Sequence, residues 1–204
     1  MYKEILSKKT EHILTKIGKN KTFEDFYLAG GTALALQINH RKSVDLDWFS
    51  NKLFSTRKLK EELKKIGNLK INEEEENTLN CILDGVKISF FYYPYKNLFS
   101  FVKYRDVKLA DIRDIACMKI VAISSRGSKK DFIDMFFLLK EFSLKKLLRL
   151  FDKKYKGIKY NHVHILKGLT YFEESEKEPM PIIIGEINWR DVKKEIKKEV
   201  EKLF

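Results

Sequence analysis

The chain has 204 residues, is 44% hydrophobic, and carries a formal net charge of +12 with two cysteines. That length and apolar content suit one domain or two tightly joined lobes with their own core. The pattern excludes a membrane span, because Lys and Glu interrupt every long apolar run. It also excludes a signal peptide, because MYKEILSKKTEHIL lacks an apolar centre, and a disulfide framework, because two cysteines are too few. Cys81 and Cys117 sit in apolar surroundings and read as buried, reduced thiols of a cytoplasmic protein. The lysine excess suits a polyanionic partner, although a Lys-rich coding bias produces the same excess.

In chain order, Ile5, Ile13, Leu14 and Ile17 form one stripe, which predicts an amphipathic helix over Tyr2 to Ile17, ended by Gly18. Phe23 to Leu28 leads as a short helix or turn, then a strand, into Gly30 and Gly31. Thr32 is placed to cap a helix carrying Ala33 to Leu36, and Val44 to Phe49 reads as a strand. Leu53 to Ile66 is a helix opened by Ser55 or Thr56 and closed by Gly67. Leu69 to Asn77 is a strand leading into the acids Glu73 to Glu76. Leu79 to Leu83 and Val86 to Tyr93 flank Asp84-Gly85, a hairpin signal. Phe90 to Tyr93 is continuously apolar, as a strand covered on both faces is. Phe99 to Lys108 is a further short strand or loop.

From Leu109 onward the pattern is helical: Asp111 to Ser124, Lys130 to Glu141, Leu144 to Lys154, His162 to Phe172, and Ile187 or Trp189 to Leu203. Arg126-Gly127-Ser128 breaks the first pair, and Glu173 to Pro181 is an acidic loop. The expected organisation is α+β in one compact unit, with an α/β lobe over 1–108 and an all-α lobe over 109–204.

The chemistry concentrates in Phe26 to Ser50, FYLAGGTALALQINHRKSVDLDWFS. Gly30 and Gly31 let a backbone approach a ligand, and a helix N-terminus just after them suits a phosphate. On a strand, Asp45 and Asp47 face the same side. Two carboxylates so placed inside an apolar strand are costly unless a cation sits between them, and Mg2+ suits oxygen ligands of this kind. A phosphate cradle facing a carboxylate pair is what nucleotidyl transfer requires. Singly, a GGT turn and an Asp-x-Asp are ordinary structural features; their order and spacing point to a site.

A second constellation lies in DIACMKIVAISSRGSKKDFIDMFFLL. Lys119 stands among apolar helix positions, so it either meets an anion such as a triphosphate or snorkels from a half-buried face. Arg126, Lys129 and Lys130 cluster with Asp131 and Asp134, an i,i+3 pair on one helical face. His40 is placed to orient the Arg41 loop. His162 and His164, without a third ligand, read as structural.

Gly30, Gly31, Thr32, Ala33, Leu34, His40, Arg41, Ser43, Asp45, Leu46 and Asp47 together resemble the first motif of the AbiEii/AbiGii toxin family, within the DNA polymerase β-type nucleotidyltransferase superfamily. Similar stretches cover about 26–50, 84–94, 111–140 and 166–181. The resemblance implies a polymerase β-type lobe, a small mixed sheet with flanking helices, followed by an all-α lobe. It implies transfer of NMP from an NTP, with Mg2+ on Asp45 and Asp47, to an RNA acceptor such as tRNA. It also implies the toxin role of a type IV toxin–antitoxin or phage-defence system, with a cognate antitoxin. Carried over, Lys119 and Asp131 join Asp45 and Asp47 as active-site residues, with Asp131 activating the acceptor hydroxyl or holding Lys119. Gly30, Gly31, Thr32, Arg41, Ser43 and Arg126 would bind the nucleotide. Tyr171, Phe172 and Glu173 read as structural. The chain departs from the wider superfamily where a third strand carboxylate is expected: Ser89 and Phe91 stand there. That departure motivates the alternative of a non-catalytic nucleotide- or RNA-binding module.

Overall fold

A computed structural model describes residues 5–204; the start of the first expected helix, Tyr2 to Glu4, lies outside them. The helix α1 spans Lys8–Lys19, later than its apolar stripe suggests. Ser7 fixes that start, because its hydroxyl accepts from the Thr10 N–H as an N-cap. Gly18 lies inside α1 rather than ending it. A Cβ there would stand 2.6 Å from Val107 Cγ2, so glycine is what lets the helix lie on the sheet.

A seven-stranded mixed sheet forms the centre, in the order β3-β4-β5-β2-β1-β7-β6. Its strands are β1 Tyr27–Ala29, β2 Leu46–Ser50, β3 Leu69–Glu75, β4 Thr78–Leu83, β5 Val86–Tyr92, β6 Val102–Tyr104 and β7 Val107–Leu109. β2 runs parallel to β5 and β1 parallel to β7; the other neighbours are antiparallel. The hairpin at Asp84-Gly85 forms with both residues at positive φ, and the Asp84 carboxylate also accepts from the Asn68 N–H. The acids Glu73 to Glu75 belong to the exposed edge strand β3, where charge discourages further strand pairing. Phe99 to Lys108, expected as a short strand or a loop, instead contributes to the hairpin β6–β7, which ends at Leu109. Leu109 therefore belongs to the sheet, and the helical half begins after it.

One sheet face carries Leu46, Trp48, Ile88 and Phe90, all buried, over which Phe23, Phe26 and the helix α3 (Thr56–Ile66, capped by Ser55) pack. The opposite face carries Asp47, Phe49, Ser89 and Phe91 in register. The helix α2, Gly30–Ile38, leads from β1 to this face, and α4 (Ile112–Ser125) and α5 (Lys129–Glu141) pack against α2. Beyond them come α6 Leu144–Lys154, α7 His162–Thr170, the short α8 Glu173–Glu176 inside the acidic loop, and α9 Trp189–Glu201.

Polar contacts also join the helical half to the sheet region. Lys154 on α6 donates to the buried Asp114 of α4 at 2.7 Å, while the Leu98 and Phe99 N–H groups donate to the same carboxylate. Residues 182–184 run antiparallel beside His40–Lys42, bonded through Lys42 N–H to Ile182 O at 2.8 Å and Ile184 N–H to His40 O at 2.9 Å. Both cysteines are buried and unpaired, and burial pushes each thiol up to about 12. No helix among the described residues is long and apolar enough to cross a membrane.

Candidate active site

The tight turn from β1 into α2 builds the first half of the site. Gly30 has φ +69°, a left-handed conformation that glycine adopts without a Cβ penalty, and a Cβ there would lie 2.8 Å from Asp47 Oδ2. The Asp47 carboxylate therefore stands directly over the start of α2. The N-cap, Ala29, offers no side-chain hydrogen bond, so the first N–H groups of the helix remain available to an anion. Thr32, expected as the cap, is instead the third residue of the helix. Its hydroxyl donates to the Asp45 carbonyl oxygen and accepts from the Ser43 hydroxyl at 2.7 Å. Thr32 and Ser43 together thus brace the backbone that carries Asp45.

Asp45 precedes β2 by one residue, and Asp47 is the second residue of β2. Asp45 is 34% exposed and lies 3.9 Å from Lys130 Nζ. Asp47 is half-buried. Burial, and then the negative charge of Asp45, raise its carboxyl above the usual range, while Lys119, Lys130 and Arg126 act in the opposite sense. No hydrogen bond to protein offsets that burial among the described residues. A cation beside such an acid would favour its charged form. Asp47 pairs across the sheet with Ser89 on β5, and Phe49 with Phe91, so no acid flanks the pair from that strand. Among the described residues there is no group of three or more metal-ligating side chains. The donor set is two carboxylates, which fits Mg2+: that ion takes one or two carboxylates and fills its shell with water and phosphate oxygens.

Behind the carboxylates lies a buried ionic network. Lys119 on α4 turns inward and meets Asp131 Oδ1 at 2.7 Å and Asp134 Oδ2 at 2.5 Å, both on α5. Its partners are thus protein acids. Arg41 clamps Asp134 through Nε to Oδ1 at 2.6 Å and Nη2 to Oδ2 at 3.0 Å, and His40 Nε2 reaches the same carboxylate at 2.7 Å. Asp131 also accepts from Ser128 at 2.6 Å and Arg126 at 3.2 Å. Burial alone would push both carboxyls up. Lys119 with Arg41 and His40 at Asp134, and Lys119 with Arg126 and Ser128 at Asp131, outweigh it and hold both below the usual range. Burial disfavours a charged Lys119, yet the two acids keep its ammonium protonated and shift it upward. Burial lowers His40, outweighing Asp134. The neutral ring then donates from Nε2 and leaves its buried Nδ1 without a partner. Three cations face two anions here, so the network presents a net positive charge to the carboxylate pair.

The structure gathers Gly30, Gly31, Thr32, Ser43, Asp45, Asp47, Arg41, Lys119, Arg126 and Asp131 into one region, but in two layers. Asp45, Asp47, Lys130 and Arg126 (65% exposed) reach solvent, whereas Arg41, Lys119 and Asp131 are buried. The Arg41 guanidinium is held by Asp134 and is not free to meet a ligand. Gly31 is tied to that pair: a Cβ there would stand 2.1 Å from Arg41 Nη2. Lys129 leaves the expected basic cluster, since its side chain turns to the backbone carbonyls of Glu176 and Glu178. The hub role of Asp134, the pairing of Lys130 with Asp45 and the bond from Ser128 to Asp131 are what sequence reasoning missed. The i,i+3 spacing of Asp131 and Asp134 was the available signal for the hub, but acids near the start of a helix are too common for spacing alone to give Asp134 that role. Tyr171, read as structural, is exposed, whereas Phe172 is buried against Phe132 and Trp189.

An uncapped helix start facing a carboxylate pair on a mixed sheet is suited to holding a metal-bound nucleotide. Two solved structures share this fold. One, from H. pylori, is provisionally assigned as a nucleotidyltransferase, with TM-score 0.59 at 15% identity, covering 96% of this chain and 93% of that one. The other is MenT4, a nucleotidyltransferase toxin from Mycobacterium tuberculosis, with TM-score 0.53 at 11% identity, covering 94% and 80%. An uncharacterized protein of Aquifex aeolicus is 39% identical over 202 residues, 96% of each chain. The sequence profile described as "Nucleotidyl transferase AbiEii toxin, Type IV TA system" matches residues 12–93 and 92–203, and the chain belongs to that family.

Proposed function

We propose that the protein transfers NMP from an Mg2+-bound NTP to an RNA acceptor such as a tRNA end, in the cytoplasm, as a toxin held in check by a cognate antitoxin. The observation that carries this reading is the Asp45–Asp47 pair at the uncapped start of α2, with Asp47 lacking a protein hydrogen bond among the described residues and the exposed cations Lys130 and Arg126 beside it.

Asp45 and Asp47 hold the metal, which when bound neutralises and orients the triphosphate. The Gly30 and Gly31 N–H groups at the helix start take phosphate oxygens. Lys130 and Arg126 add charge where negative charge develops on the leaving pyrophosphate. Thr32 and Ser43 fix the backbone of Asp45. Lys119, Asp134, Arg41 and His40 act as positioning residues, holding α2, α4 and α5 in one arrangement. Asp131 is the partner of Lys119 and the anchor of Arg126. With its carboxyl held low and both oxygens engaged, it is a poor proton acceptor.

The test is incubation with each α-labelled NTP, Mg2+ and total tRNA, beside Asp45→Ala. Label entering RNA and lost in the variant is the expected result. Label that enters protein or a small molecule instead would reassign the acceptor. Label retained by Asp45→Ala would remove the carboxylate pair from the mechanism.

A further inference from the structure

Two pockets lie in the helical half, and they adjoin. The first, about 510 Å³, runs from Arg126 at the C-terminal end of α4 to Lys167 and Tyr171 at the end of α7. The second, about 610 Å³, lies between Tyr171 and the exposed Arg190, Lys194 and Lys197 of α9. Thr170 and Tyr171 line both, so Tyr171, 55% exposed, stands as the shared wall. Its hydroxyl donates to Glu173 at 2.8 Å, which restrains the side chain. At the inner end, Arg126 is bonded to Asp131, whose chain neighbour Lys130 lies 3.9 Å from Asp45.

We propose that these pockets form one track for single-stranded RNA. The 3′-terminal nucleotide enters beside Arg126, a base stacks on Tyr171, and the preceding phosphates lie along Arg190, Lys194 and Lys197. The inference rests on the RNA-acceptor reading and adds the path to it. A spaced row of cations beside one exposed aromatic ring matches how strands are held without sequence readout, by backbone charge and base stacking. The lining acids are already engaged, Glu173 by Tyr171, Glu174 by Lys177 and Glu176 by Lys193 and Trp189, which leaves Arg190, Lys194 and Lys197 as the exposed charges facing a strand.

Binding of a fluorescein-labelled, unstructured RNA oligonucleotide, read by anisotropy without NTP or Mg2+, tests the track independently of transfer. Tyr171→Ala is expected to weaken binding by about 10-fold, a typical loss for one stacked base. Arg190→Gln, Lys194→Gln and Lys197→Gln together should lower the salt slope by about 2, three phosphate contacts at roughly 0.7 each. Lys9→Gln, Lys58→Gln and Lys64→Gln, equal in charge but remote on α1 and α3, should leave both unchanged. Thermal melts of every variant show whether it is folded. Equal losses in the two triple variants, no loss with Tyr171→Ala, or no binding by the wild-type protein at low salt overturns the track; a partner protein competing at Tyr171 while RNA does not bind assigns the surface to docking. RNA binding of the expected pattern with no NMP transfer would uphold the track and defeat the proposed reaction.

Discussion

At the residue scale, Asp47 illustrates how a site can cost a fold stability. Its carboxyl is raised by burial and by Asp45, so as pH rises the unfolded chain releases this proton first. The folded state is therefore undiminished below the ordinary value of 3.8, loses stability as pH rises from there through the raised value, and carries the full cost above it. Asp47→Asn is therefore expected to raise the metal-free Tm by about 2–4 °C, the shift that about 1 kcal/mol produces in a chain of this size. The same variant should lose both transfer activity and any stabilisation by added Mg2+. A metal-free Tm that falls would show that Asp47 is a structural acid. His40 has the opposite dependence. Its folded-state value lies below 6.5, so the unfolded chain takes up the proton first as pH drops, and stability decreases below about 6.5. Urea midpoints between pH 8 and pH 5 should show that loss, and His40→Asn should flatten it.

At the element scale, α2 is positioned by what its glycines omit. Gly31 gives its side-chain space to Arg41, and Arg41 in turn clamps Asp134 on α5. Gly31→Ala should displace the guanidinium and cost about 2 kcal/mol, within the range for overpacking a filled site. Because the cost runs through Arg41, Gly31→Ala and Arg41→Ala should be strongly non-additive in a double-mutant cycle, whereas independent sites would add. Asp134→Asn removes the acid shared by Lys119 and Arg41, leaving buried positive charge without its partner, and should cost about 3–5 kcal/mol. Chemical denaturation measures both. Near-neutral values would mean that α2, α4 and α5 are held by apolar packing alone.

At the scale of the whole molecule, the sheet region and the helices are joined by specific polar ties as well as by packing. Lys154 reaches across from α6 to Asp114, which also collects the N–H groups of Leu98 and Phe99. Lys154→Met leaves that carboxylate buried without its cation. We expect a loss of about 3–5 kcal/mol and a Tm about 10 °C lower, still in a single calorimetric transition. Two separated transitions would show that the lobes over 1–108 and 109–204 fold independently and that this ion pair merely links them.

Features that depend on neighbours along the chain were readable from residue order. The α3 helix runs between Ser55 and Gly67 because both caps are local, and the Asp84-Gly85 hairpin forms because two residues adopt positive φ. The Asp45–Asp47 pair and the glycines of α2 were legible for the same reason: their chemistry is written in spacing. What residue order could not resolve depends on partners far along the chain. Whether Lys119 faces a ligand or an acid depends on how α4 meets α5. Whether Arg41 is free or clamped depends on Asp134, ninety-three positions away. The bridge from Arg41 to Ile183 pairs segments with no shared periodicity. Spacing within a segment is set by backbone geometry and survives in a string of letters, whereas a buried charge acquires its role only when packing selects its partner.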